Sequence, residues 1–140
     1  MRIFITACTL CLLAVGKIAE AKTIFVIGNP NVPVSALSQQ DLEKIYLLRQ
    51  AYWSDGNLIV PVNREASSTL REFFSDVVLK QSPRSLSNYW NQMHFRGKAP
   101  PIVQSSDESV AAFVRKIPGA IGYVENAAGL DGVKIIAELP

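Results

Sequence analysis

The sequence predicts an α/β fold, a mixed sheet of about four or five strands with helices on both faces, and three observations carry that reading. Short β-rich apolar runs at residues 23–27, 58–62, 120–124 and 133–137 alternate with segments whose apolar residues recur at helical spacing. The run at 58–62 passes through a polar loop straight into a helical pattern, which is half of a βαβ unit. The chain has 140 residues, 49% of them hydrophobic, enough for one domain with a core of its own.

Taken in order, residues 23–27 read as a buried strand, stopped by Gly28-Asn29-Pro30-Asn31. Ser38 and Asp41 have capping spacing and open a helix with Leu42, Ile45 and Tyr46 on one face. Trp53-Ser54-Asp55-Gly56 is a turn, with Gly56 supplying the positive φ that ends it. The second strand follows at 58–62. Beyond the loop Leu70, Phe73, Phe74, Val77 and Val78 mark the inner face of a helix. Ser82-Pro83 is an N-cap and first-turn proline, and the helix it starts carries Leu86, Tyr89, Trp90 and Met93. After an irregular connection at 96–101, Ile102 and Val103 form a short strand. Ser105 or Ser106 caps a last helix with Asp107 and Glu108 in its first turn and Pro118-Gly119 as its stop. Strands at 120–124 and 133–137 close the chain.

Residues 1–21 are different in kind. Arg2 is a positive n-region, residues 3–15 are nearly all apolar, and Ala19-Glu20-Ala21 is a small-x-small cleavage site, so the segment reads as a signal peptide and residues 22–140 as the single exported domain. The apolar run is shorter than the ~20 residues a spanning helix needs, and no later segment reaches that length. Cys8 and Cys11 both fall inside the signal; Cys8 leaves far too short an apolar stretch ahead of it for lipid attachment, and Cys11 is preceded by Cys8-Thr9-Leu10 rather than by small residues. The expected product is therefore periplasmic, without thiol, disulfide, lipid or membrane span.

Loss of the signal removes Arg2, Lys17 and Glu20, leaving twelve basic and eleven acidic side chains that are interspersed along the chain. No basic stripe with interleaved aromatics suggests nucleic acid as a partner. The lone His94 cannot make a metal site, and no nucleophile, base and orienter can be assembled, so the reading is a binding protein, not an enzyme, with no cofactor. Trp53 and Trp90 are read as core residues.

The most informative stretch is Arg64-Glu65-Ala66-Ser67-Ser68-Thr69. A helix start presents unpartnered N–H groups to an anion, three consecutive hydroxyls can donate to several oxygens, and a guanidinium fits two at once. Spacing alone is equally satisfied by a serine cap beside a surface arginine.

Leu37-Ser38, Leu42, Ile45-Tyr46-Leu47, Trp53-Ser54-Asp55-Gly56, Pro61-Val62-Asn63-Arg64 with the Ser/Thr-rich helix start, and Pro118-Gly119-Ala120-Ile121-Gly122-Tyr123-Val124 together resemble the phosphate-binding proteins of ABC transporters, in order from about residue 24 to 125. The resemblance implies one lobe of a periplasmic-binding-protein-like fold. It also implies phosphate or a related oxyanion as ligand, with Arg64, Ser67 and Thr69 as the corresponding ligands; Ser68, between them at the helix start, completes the candidate set. Two departures stand out: Glu65-Ala66 and Ser68 replace the Asp and glycines of the family's loop, with one residue fewer, and the family's opposite lobe has no counterpart. An ABC transporter permease, a second lobe-bearing protein or a second copy of the chain are the partners that would complete such a site. The alternative is an interaction or sensory module that kept the lobe and lost tight binding.

The processing site gives the first prediction. Mass spectrometry of the exported product should find Lys22 as the first residue and no lipid, and a product that keeps residues 1–21 would refute the assignment.

Overall fold

The computed structural model describes Gly16 and residues 22–140; apart from Gly16, the expected signal peptide lies outside the described residues. The strands are β1 (Ile24–Gly28), β2 (Val60–Arg64), β3 (Ile102–Gln104), β4 (Ala120–Val124) and β5 (Lys134–Leu139). They form one sheet in the order β3-β2-β4-β1-β5. β2 runs parallel to both β3 and β4, whereas β1 is antiparallel to its neighbours β4 and β5, so the sheet is mixed. The fold is α/β, as the sequence predicts.

Helices cover both faces. One face packs α1 (Gln39–Tyr46), α2 (Thr69–Phe74) and the π-helical turn Ser75–Leu79 that continues it, through Leu42, Ile45, Tyr46, Leu70, Phe74 and Val78. The other face packs α4 (Asp107–Lys116) through Val110, Ala111 and Val114 against Ile27, Val62, Ala120 and Val124. α3 (Pro83–Phe95) lies outside the first layer, with Met93 buried and Leu86 and Tyr89 packed against its core.

Local chemistry explains where these helices begin. Ser38 and Asp41 form a full capping box on α1, and the Ser38 hydroxyl and backbone N–H, both donating to the Asp41 carboxylate, lower it below its usual range. Ser82 accepts from the Ser85 amide with Pro83 in the first turn of α3, and Ser106 rather than Ser105 caps α4. Each cap satisfies a helix-end donor and is worth about 1 kcal/mol.

Three expectations needed adjusting. The second strand runs from Val60 to Arg64, because Asn63 and Arg64 pair with Val103 and Gln104 although neither is apolar. Leu58 instead bridges Tyr52 across the turn that Gly56 closes at φ 86. The helix after the loop widens into a π turn from Ser75, which buries Val78 and Leu79 and leaves Val77 partly exposed. The last strand extends to Leu139, which pairs with Ile24.

The centre of the larger core is aromatic. Phe74 stacks flat on Tyr123, with centroids 3.9 Å apart and 2° between the rings, and Tyr46 meets Phe74 edge-on at 4.8 Å. The Tyr46 hydroxyl donates to the Val62 carbonyl at 2.9 Å, which ties α1 to β2. Trp53 is a core residue whose Nε1 donates to the Gly119 carbonyl at 3.0 Å. Gly119 sits at φ +79, where an added Cβ would fall 2.2 Å from the Leu58 carbonyl oxygen. This lashes the turn at 53–58 to the start of β4. Trp90 is only half-buried, and His94 lies exposed.

Because Phe74 touches both Tyr46 and Tyr123 and is fully buried, Phe74→Ala should cost about 3–5 kcal/mol in urea unfolding. A loss below about 1 kcal/mol would show that α2 collapses onto the vacated space.

Candidate functional site

β2, β3 and β4 are parallel, so their carboxyl ends, Arg64, Gln104 and Val124, lie along one end of the sheet. The loops that follow lead into α2, into α4 and towards β5. Open α/β sheets present their ligand sites at such ends.

Arg64 is the last residue of β2. Side chains alternate along a strand, so Arg64 shares the α4 face with Val62 while Asn63 points to the aromatic face. Its Nη1 meets Asp107 Oδ1 at 2.6 Å and its Nη2 donates to the Ser105 carbonyl at 3.2 Å. Asp107 Oδ2 in turn accepts from the backbone N–H of Glu125 at 3.1 Å and of Asn126 at 3.0 Å. One carboxylate thus joins the ends of β2 and β4 at the head of α4. The two side chains are 14% and 23% exposed, so the pair is shielded but reachable from solvent. Arg64 Nε is buried with no hydrogen-bond partner among the described residues.

The three hydroxyl residues form the start of α2, across the sheet end from Asp107. Ser68 is the N-cap, accepting from the Arg71 amide at 3.3 Å, while Ser67 and Thr69 are exposed. The structure therefore gathers Ser67, Ser68 and Thr69 at one helix start and places Arg64 at the root of the same loop. The Arg64 guanidinium, however, bonds to Ser105 and Asp107 and to none of the three hydroxyls.

Arg71 is a residue the sequence did not mark. Its Nη1 donates to the Arg64 carbonyl at 2.9 Å, folding the guanidinium back over the loop. Among the described residues Arg71 enters no ion pair. Nothing in the sequence separates it from an ordinary helix-surface arginine. Beneath it the buried Asn63 accepts from the Tyr123 hydroxyl. Burial pushes the Tyr123 phenol up to about 12, opposed by its contact with the Arg64 amide and by the charges of Arg71 and Arg64.

Two hollows flank this end. An open groove of about 550 Å³ runs between α2 and α3, lined by Ala66, Arg71, Glu72, Leu86 and Trp90 among others. A smaller one of about 180 Å³ opens beside Asp107, lined also by Glu108, Arg115 and Asn126. Among the described residues no group of His, Cys, Asp or Glu could hold a metal ion, and no helix is long and apolar enough to cross a membrane.

The geometry defines a single α/β lobe with its polar loops at the carboxyl ends of parallel strands, and solved structures share it. A phosphate ABC transporter substrate-binding protein with bound phosphate from Clostridium perfringens superposes with a TM-score of 0.66 at 22% identity, covering 81% of this chain and 43% of that one. An ABC-type phosphate transport receptor from Vibrio cholerae gives 0.64 at 21% identity over 81% and 44%. PstS from Borrelia burgdorferi gives 0.66 at 18% identity over 82% and 46%. The chain thus spans under half the length of these structures, one lobe of each, and at such identities the likeness is one of fold. No curated protein matches the chain. The chain belongs to the PBP superfamily, whose domain profile matches residues 21–135.

The buried Tyr123 phenol supplies a pH prediction. A tyrosine in the unfolded chain ionises near ~10, and this one ionises at about 12, so its contribution is whole below pH ~10 and is lost as pH rises through about 12. Spectroscopic titration should show one late-ionising phenol missing from Tyr123→Phe, with a shallower loss of stability across that window than in the wild type.

Proposed function

We propose that this protein is an exported periplasmic binding protein that takes phosphate or a related tetrahedral oxyanion at the carboxyl end of β2, using Arg64, Ser67, Ser68 and Thr69, without catalysing a reaction or carrying a cofactor. The observation that carries the reading is positional. Arg64 and the three hydroxyls lie on one loop, at the strand end where open α/β sheets take ligands, in a lobe with the fold of a phosphate-bound transporter component. The exposed Ser67 and Thr69 hydroxyls are free to donate, and the uncommitted charge of Arg71 adds to the attraction.

The single lobe limits the affinity. An anion held on one side keeps much of its hydration, and each contact is made in high dielectric, where it is worth little. A transporter permease, a second lobe-bearing protein or a second copy of this chain would close the site, and closure would raise affinity by removing that water. A second reading, an interaction or sensory module that binds no anion tightly, draws support from the engagement of Arg64 by Asp107 and from Phe95, 90% exposed on α3.

Calorimetry of the mature protein with phosphate and sulfate separates the two. The expected dissociation constant is about 0.1 mM or weaker, equivalent to no more than ~5.5 kcal/mol, and binding should fade as ionic strength rises. Replacing Ser67 and Thr69 together by alanine should weaken phosphate about tenfold with little change in stability. Wild-type affinity in that double variant would place the ligand elsewhere, and absence of any binding would leave the interaction module.

A further inference from the structure

We propose that Asp107 is a built-in ligand. Its carboxylate fills an oxyanion pocket made by the Arg64 guanidinium and the backbone N–H groups of Glu125 and Asn126, and a small free oxyanion enters that pocket only by displacing it. The inference concerns the same end of the sheet as the reading above but rests on its own geometry.

The contacts are those of a bound anion. One oxygen receives Arg64 Nη1 at 2.6 Å, and the other receives two successive amides at 3.1 and 3.0 Å. A guanidinium on one side and paired backbone N–H groups on the other are the donors that proteins use to hold carboxylates and phosphates. These donors come from two distant stretches of chain, β2 and the segment after β4, so the pocket exists only in the folded lobe. Asp107 occupies it as the first residue of α4, where a negative charge is also favoured by the helix dipole.

Two further observations point to a second arrangement. Among the described residues Arg64 Nε is buried without a partner, so the bound pose leaves one of the guanidinium donors unsatisfied. Buried donors of this kind are uncommon and call for a cause. The cavity of about 180 Å³ beside Asp107 gives its side chain a place to go, with room for several waters or one small oxyanion. Arg115 lines that cavity, bonding among the described residues only the Asp131 and Gly129 carbonyls, and supplies a positive charge for a displaced carboxylate. Glu108 lines it too and opposes the move, which favours Asp107 at rest in the pocket.

The arrangement makes anion capture an exchange. The tethered carboxylate competes at the effective concentration of an intramolecular group, commonly in the millimolar range or above. A free anion must exceed that to hold Arg64.

Chemical rescue tests this. Asp107→Ala should melt several degrees below the wild type, and sodium formate at tens of millimolar should recover most of that difference where sodium chloride of equal ionic strength does not. Formate should leave the wild type unchanged, its pocket being full, and should fail on the double variant Arg64→Ala, Asp107→Ala. Failure of formate on the single variant, including failure to support its refolding, or equal rescue of the double variant, would overturn the proposal. Asp107→Asn keeps the shape but releases the Arg64 charge, and should bind phosphate at least about tenfold more tightly than the wild type, the scale of one charge-assisted hydrogen bond. Equal or weaker binding would make Asp107 a support for Arg64 and overturn the exchange. A wild type that ignores phosphate while Asp107→Ala responds to formate would sink the function proposed above and leave this inference standing.

Discussion

β2 pairs in parallel with β3 on one side and β4 on the other, and a parallel neighbour cannot be reached by a hairpin. The chain must cross a face of the sheet each time, and those crossings are helices. From β2 to β3 it travels through α2, the π turn and α3; from β3 to β4 it returns through α4 on the opposite face. Both layers and the polar end of the sheet follow from this one pairing pattern. β1 and β5, antiparallel to each other, complete the sheet, and the segment that leaves β4 for β5 starts at that same end with Glu125 and Asn126.

Much of this could be read locally. Ser38 with Asp41, Ser82 with Pro83, and Ser105-Ser106 ahead of Asp107 announced helix starts because a cap is chemistry among residues three or four apart, although only the structure chose Ser106 over Ser105. The apolar runs found their strands because both faces of a helix-covered sheet are dry. The polar half of β2 was missed, since Asn63 and Arg64 are held in the ladder by β3, some forty residues away in the sequence. Placement of the Ser67–Thr69 cluster was legible for the same reason as the caps.

The contacts of Arg64 were not legible. Its carboxylate partner lies 43 residues downstream, and Asp107 looks in sequence like a routine acidic residue in a first helical turn. Asp107 also grips two amides beyond β4, a contact that depends on β4 lying next to β2. Arg71 reaches back over the loop for a similar reason: helical geometry brings it above the Arg64 carbonyl once α2 is docked. Periodicity reports which face of an element is buried, and says nothing about which distant charge is met on the other.

The ion pair places stability and ligand capture in opposition. A partly buried arginine without a counter-charge is costly, so a lobe that stands alone gains by answering Arg64 from within. Where a second lobe closes over such a site, the ligand can take that role, because water is then excluded and the donors converge from both walls. In the single lobe the anion would meet the guanidinium from one side only, in competition with a carboxylate that pays no cost of association. Asp107 therefore stands electrostatically where a ligand and an opposing wall would otherwise be needed, while Ser67, Thr69 and Arg71 remain on the opposite side of the strand end with their donors uncommitted to any carboxylate. Charge balance at this edge thus leaves Arg64 paired with Asp107 at rest, open to an incoming anion only through the exchange proposed above, while the exposed Ser67 and Thr69 at the start of α2 face solvent.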